Sequence, residues 1–220
     1  MSTWFGDDLI FCDSNIRHST PLQPGVKVVR IDYHDDDYIP LVRDSYTTIQ
    51  DVERESGLKL IHITGEIMMV KKDDPRSEIL GAYEEAMTKA NLKYEIWNQN
   101  EIQRRFPQFC LESNVVGLYT KDSGLVDAAM TNAAHIQLAR RNGATIEENC
   151  QVLKMEKDKD GVHVLVHTTK DMFCARHVIV TAGGWTNQVL SSLDIKLPLT
   201  ITQEQATFVA TPNLKDFTKN

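Results

Sequence analysis

The 11 glycines of this 220-residue chain never fall at Gly-x-Gly-x-x-Gly spacing. The sequence therefore lacks the glycine-rich turn that usually cradles a pyrophosphate. No apolar run approaches the ~18 residues of a membrane-spanning helix, and no signal peptide opens the chain, so no membrane partner is expected. Basic residues are outnumbered, 24 Lys and Arg against 31 Asp and Glu, for a net charge of −7. Such a surface repels a phosphate backbone, which argues against nucleic acid as a partner. Cys12, Cys110, Cys150 and Cys174 lie far apart with no Cys-x-x-Cys. That pattern points to reduced thiols inside a cell, not to a paired-cysteine zinc site. Gly-x-Ser-x-Gly is missing too, and the serines and histidines form no catalytic set.

What is present has the composition of a globular protein, 41% hydrophobic and 25% charged. The length suits one large domain or two small ones, able to bury roughly 70% of the unfolded surface. Residues 1–25 are poorly patterned, since Pro21 and Pro24 stop any helix. Val26 to Ile31 reads as a short strand carrying Lys27 and Arg30. Asp35-Asp36-Asp37 is a solvated turn that caps the next helix, because no Gly or Glu sits at calcium-loop spacing. Ile39, Val42, Tyr46, Ile49 and Val52 recur at three- and four-residue intervals, which predicts that helix from Tyr38 to Glu55, ended by Ser56-Gly57. Leu60 to Val70 reads as a strand broken at Gly65. A second helix starts at Asp73-Asp74-Pro75 and runs to Ala90, burying Ile79, Leu80, Tyr83, Ala86 and Met87.

Tyr94 to Trp97 is a short strand, and Asn98 or Asn100 caps a small helix that Pro107 ends. Val115 to Tyr119 is another strand, Asp122-Ser123-Gly124 a turn, and Asp127 to Asn142 a helix closed by Gly143. Strands follow at 144–146, Cys150 to Met155, Val162 to His167, 172–176 and, in the tail, Gln205 to Ala210. His163 and His167 stand four apart and read as exposed sheet positions, because no third ligand has metal-site spacing. Met68-Met69 reads as core. Val178-Ile-Val-Thr-Ala-Gly-Gly-Trp-Thr-Asn-Gln-Val-Leu190 runs from a buried strand through a small-residue turn into a helix. In that geometry backbone N–H groups can approach an anion, though an ordinary turn needing glycine reads equally well.

The order of these elements, with Val28-Val29-Arg30, Arg104-Arg105-Phe106-Pro107 and Thr181 to Leu190, resembles the flavin-dependent amine oxidases of the D-amino acid oxidase superfamily, in particular the sarcosine and pipecolate oxidases. The resemblance spans about residues 26 to 210. It implies an α/β, mixed α+β chain of the glutathione-reductase-type FAD-binding fold, lacking its first βαβ unit and carrying part of an antiparallel substrate domain. Residues of about 26–58 and 122–194 fall on the FAD side, and about 60–120 and 195–220 on the substrate side. The implied reaction converts a secondary amino acid to an imine, with FAD as cofactor and O2 reduced to H2O2. Arg30 falls where the family anchors the substrate carboxylate, a task suited to a guanidinium fork. By the same resemblance Lys27 would stand where the family has a second arginine near the flavin, and Tyr33 would lie near the substrate. Val152 would meet the adenine through its backbone, while Thr181, Ala182, Gly183 and Trp185 would line the FAD cleft.

The departures also carry expectations. Pro21-Leu22-Gln23-Pro24 stands in place of a Ser-Ser-His-Gly pattern, and the family's later lysine and flavin-attachment cysteine have no counterpart here. The chain is accordingly expected to be a partial oxidase that holds FAD weakly or not at all. The alternatives are a cofactor-free binding or regulatory module, or an oxidase of another amino acid or amine. A missing parallel strand would leave a sheet edge open to self-association. The family implies the peroxisome, but Thr218-Lys219-Asn220 is no Ser-Lys-Leu address, so the expectation is an intracellular place, cytoplasmic or unassigned.

Overall fold

The computed structural model describes residues 9–13, 26–203 and 212–217. Its elements are β1 (Leu9–Asp13), β2 (Val26–Val29), α1 (Tyr38–Ser56), β3 (Ile61–Ile63), β4 (Glu66–Lys71), α2 (Glu78–Lys89), β5 (Glu95–Asn98), α3 (Gln99–Arg105), β6 (Val115–Thr120), β7 (Gly124–Asp127) and α4 (Ala128–Arg141). The later ones are β8 (Val152–Lys157), β9 (Val164–Thr168), β10 (Met172–Ala175), β11 (His177–Thr181) and α5 (Thr186–Leu190). This is a mixed α/β architecture, and contacts divide it into two compact units. One holds residues 23–144 with 209–220, the other residues 1–22 with 145–208.

In the 23–144 unit the helix bounds follow local signals. Gly57 takes a left-handed φ of 73° and donates its N–H to the Glu53 carbonyl at 2.9 Å, ending α1. Asp127 Oδ1 accepts the Met130 N–H at 2.9 Å and starts α4. Val52, Leu60, Ala134 and Leu138 form the core that joins the two helices. Three antiparallel strands stand in the order β2-β7-β3, and three more in the order β4-β6-β5. Leu80, Tyr83 and Met87 of α2 pack on Leu118 of β6. On the same sheet Trp97 stacks on Tyr119 at 4.1 Å and carries the Arg105 guanidinium 4.1 Å from its ring centre.

In the 145–208 unit β8, β9 and β10 form an antiparallel meander, and β1 pairs with β11 in parallel register from Leu9↔His177 to Asp13↔Thr181. Met155 and Val166 centre its core, with Val178 and Val180 of β11 and Val189 and Leu190 of α5 packed against them.

Several expectations are corrected here. β1 lies inside the poorly patterned 1–25 segment and gives β11 a parallel neighbour on one side. β7 occupies a place read as turn and helix start, because four residues are too few to show a period. Ile79 is 41% exposed, one position out of phase with the buried stripe of α2. Residues 144–146 form no strand, and the next one begins at Val152 rather than Cys150. Asp37 precedes α1 without a side-chain cap; Asp35 closes that turn, its Oδ1 accepting the Asp37 N–H at 3.0 Å. The Gln205 to Ala210 strand lies outside the described residues. Among those described, no helix is long and apolar enough to cross a membrane.

Candidate functional site

Arg30 stands one residue past the end of β2, not within the strand as expected. Gly65, at a φ of 77°, turns the chain between β3 and β4 so that Glu66 opens β4 beside it. Arg30 Nη2 lies 3.4 Å from Glu66 Oε1, with the side chains 34% and 15% exposed. Behind the pair is a buried polar group. Asp32, 1% exposed, accepts from Ser123 Oγ at 3.0 Å and from Thr120 Oγ1 at 3.3 Å. Thr120 and Ser123 hydroxyls lie 3.0 Å apart, and Ser123 Oγ also accepts the Ile31 N–H at 3.1 Å. The Tyr46 hydroxyl donates to the Asp122 carbonyl at 3.1 Å and lies 3.4 Å from that of Val29.

Partial burial and neighbouring charges act together on Arg30, Tyr46 and Glu66. Burial works against the Arg30 charge, but Glu66, Asp32 and the Tyr83 hydroxyl outweigh it and raise its pKa. Burial first, then the Asp32 and Glu66 carboxylates, push Tyr46 up to about 12. Burial, then Asp32, raise Glu66 as well, although Arg30 pulls the other way. Glu66 Oε2 is buried and finds no hydrogen-bond partner among the described residues.

A carboxylate raised in the folded state stabilises the fold fully below its ordinary value, 4.5 here, and loses that contribution as pH rises through the raised value. Glu66→Gln mimics the protonated form. Its stability relative to the parent is expected to improve between about pH 4 and pH 7, as read from urea midpoints at both. A constant difference at the two pH values would show that Glu66 titrates as an ordinary surface acid.

Of the other residues expected on this side, Tyr33 stacks on Tyr38 at 5.4 Å, and Lys27 is exposed on β2 opposite Val126. Asp32, Tyr46, Glu66, Thr120 and Ser123 escaped the sequence reading. An aspartate two residues after an arginine is an ordinary pattern, and its burial depends on β7 and β6.

The second group of expected residues lies in the 145–208 unit. β11 ends at Thr181, Ala182 is fully buried, and Gly183 takes a φ of 51° to open a turn through Trp185. The Trp185 N–H donates to the Ala182 carbonyl at 2.9 Å, and Thr186 Oγ1 to that of Gly183 at 2.8 Å. Gly183 and Gly184 are exposed, with the Ile201 side chain 3.4 Å from where a Cβ on Gly184 would stand, and Trp185 is 60% exposed beside them. Val152 begins β8, and its side chain packs on the Met155–Val166 core. A bare backbone turn at a strand end, flanked by an aromatic ring, fits the flat face of a dinucleotide such as FAD. Its phosphates have no Gly-x-Gly-x-x-Gly loop to meet anywhere in the 220 residues.

Both groups fall within the stretch that matches known proteins. The family described as DAO, FAD dependent oxidoreductase, matches residues 11–219. Monomeric sarcosine oxidase of Streptomyces avermitilis is 33% identical over 181 residues, 82% of this chain and 45% of the relative. Peroxisomal sarcosine oxidase of Mus musculus is 28% identical, over 79% of this chain and 43% of its own length. Among solved structures, a point mutant of NikD, an amino acid oxidase of nikkomycin biosynthesis, superposes with a TM-score of 0.72 at 25% identity. The superposition covers 87% of this chain and 48% of NikD. The chain thus spans about half the length of the curated relatives it matches.

Proposed function

Because the chain belongs to the DAO family of FAD dependent oxidoreductases, we propose that it forms part of an oxidase of secondary amino acids of the sarcosine/pipecolate type. The observation that carries this reading is Arg30, a half-buried guanidinium held in a polar pocket in a chain 33% identical to a sarcosine oxidase. FAD, when bound, supplies the electron acceptor, and O2 takes the electrons on to H2O2. Arg30 orients the substrate by its carboxylate, and Tyr33 lies near the substrate. Thr181, Ala182, Gly183, Trp185 and the Val152 backbone hold the dinucleotide. Segments of about 60–120 and 195–220 are assigned to the substrate side.

Glu66 gives this site its own character. Its carboxylate already faces Arg30, so an incoming substrate carboxylate competes with it. Arg30→Ala is expected to remove two charge-assisted hydrogen bonds worth about 2–3 kcal/mol, a rise in KM of roughly 30- to 150-fold with kcat little changed. Glu66→Gln is expected to lower KM. The assay is peroxide release from sarcosine, L-pipecolate and L-proline by the chain saturated with FAD, after its visible spectrum has been recorded. Purified without added FAD, the chain is expected to show little flavin absorption. Failure to release peroxide from all three substrates despite a bound-flavin spectrum overturns the secondary-amino-acid reading, and unchanged KM in Arg30→Ala removes Arg30 from the carboxylate role.

A further inference from the structure

The turn joining β8 to β9 is Asp158-Lys159-Asp160-Gly161-Val162-His163. Gly161, at a φ of 72°, lets it reverse, and the Asp158 N–H donates to the His163 carbonyl at 2.9 Å. With Lys157 opposite Val164, Asp158 and His163 face each other across the strand ends. β10 lies on the other side of β9, where Cys174 stands opposite Leu165. His163 and Leu165 share a face of the sheet, two residues apart, so Cys174 is a diagonal neighbour of His163. The outcome is a mixed donor set. A carboxylate oxygen of Asp158, a ring nitrogen of His163 and Cys174 Sγ all lie within 4.8 Å of one another, each side chain half-buried.

Asp160 completes the arrangement. Its Oδ1 accepts the N–H groups of Val162 at 2.8 Å and His163 at 3.0 Å, which fixes the carboxylate, and its Oδ2 contacts His163 Nδ1. A carboxylate on the imidazole is the usual outer support of a ligating histidine. Tetrahedral zinc, with bonds of about 2.0–2.3 Å, sets its donors roughly 3.3–3.8 Å apart, so these side chains need close by only about an ångström. Thiolate and imidazole donors favour zinc-like metals over magnesium or calcium.

We propose that Asp158, His163 and Cys174 bind a divalent transition metal of the zinc type, with Asp160 holding the imidazole, and that the metal ties the β8–β9 turn to β10. Sequence spacing hides the set because its third member arrives from a different strand. The inference does not rest on the oxidase reading.

The test is titration of the purified, chelator-treated chain with Co2+. One equivalent is expected to raise a thiolate-to-cobalt charge-transfer band in the near ultraviolet, and Zn2+ to bleach it while Mg2+ and Ca2+ do not. Cys174→Ser should abolish the band, whereas Cys110→Ser, at an exposed thiol, should keep it. His163→Ala and Asp160→Asn are expected to weaken Co2+ binding, the latter about 10- to 100-fold. Alkylation mapped by mass spectrometry gives the same answer on the unaltered chain: Zn2+ should protect Cys174 and not Cys110. Absence of the band in the parent chain, its survival in Cys174→Ser, or equal alkylation of Cys174 with and without Zn2+ overturns the site.

Discussion

Gly124→Ala is expected to cost the 23–144 unit more than about 4 kcal/mol, enough to leave much of it unfolded. Gly124 opens the middle strand of the β2-β7-β3 sheet, opposite Val29 on one side and Ile63 on the other. A Cβ added there falls 2.1 Å from the His62 carbonyl oxygen and 2.9 Å from Ile63 Cα. Both are backbone atoms, so no rotamer change relieves the clash and β3 has to leave the ladder. The damage spreads, because the preceding Ser123 carbonyl accepts the N–H groups of Gly65 at 2.9 Å and Thr64 at 3.3 Å. These bonds hold the turn that presents Glu66 to Arg30. Gly81→Ala in α2 is the control. Nothing lies within 4 Å of its added Cβ, and the gain in helix propensity should stabilise by roughly 0.5–1 kcal/mol. Urea unfolding followed by circular dichroism reads both. A Gly124→Ala midpoint equal to the parent's would mean that the β3–β7 contact is looser than its geometry.

The same glycine shows where sequence reading stops. α4 was legible almost to the residue, because Asp127, Asn142 and Gly143 announce its ends within the chain itself. α1 ends at Gly57 for the same local reason. β7 gives no such announcement, since the need for a bare backbone at Gly124 comes from His62, far off in sequence. β1 was hidden likewise: Leu9–Asp13 ends on a charge, and only its parallel pairing with β11 makes it a strand. For the candidate site, the family resemblance singled out Arg30, and its neighbours in the fold gave no such signal. Glu66 reads as the polar start of an apolar strand until the Gly65 turn sets it 3.4 Å from a guanidinium. Turn chemistry and periodicity travel along the chain, whereas burial of a polar group depends on strands that meet only in the fold.

Asp32→Ala should have the second largest effect, and a different kind of readout. Its carboxylate is 1% exposed and accepts from two buried hydroxyls. Deleting it removes the carboxylate that both hydroxyls donate to, leaving Ser123 with Thr120 and the Ile31 N–H, and takes one of the two carboxylate charges away from Arg30. Removing one member of a buried charged network costs about 3–5 kcal/mol. Asp32→Asn keeps an oxygen acceptor and should cost less, about 1–3 kcal/mol. Stability alone does not separate an electrostatic role from packing, but Tyr46 does. Part of what pushes Tyr46 up to about 12 is the Asp32 charge, so both variants should titrate Tyr46 at lower pH, measured by ultraviolet difference spectra with Tyr46→Phe as the reference. If the proposed oxidase reading holds, Asp32→Asn should then raise KM for the amino-acid substrate more than it lowers kcat, since Arg30 keeps its charge and loses a neighbouring one. If Asp32→Asn leaves the Tyr46 titration and KM unmoved while lowering stability, Asp32 is a structural acceptor for Ser123 and Thr120 alone. Arg30 is then held in place by Glu66.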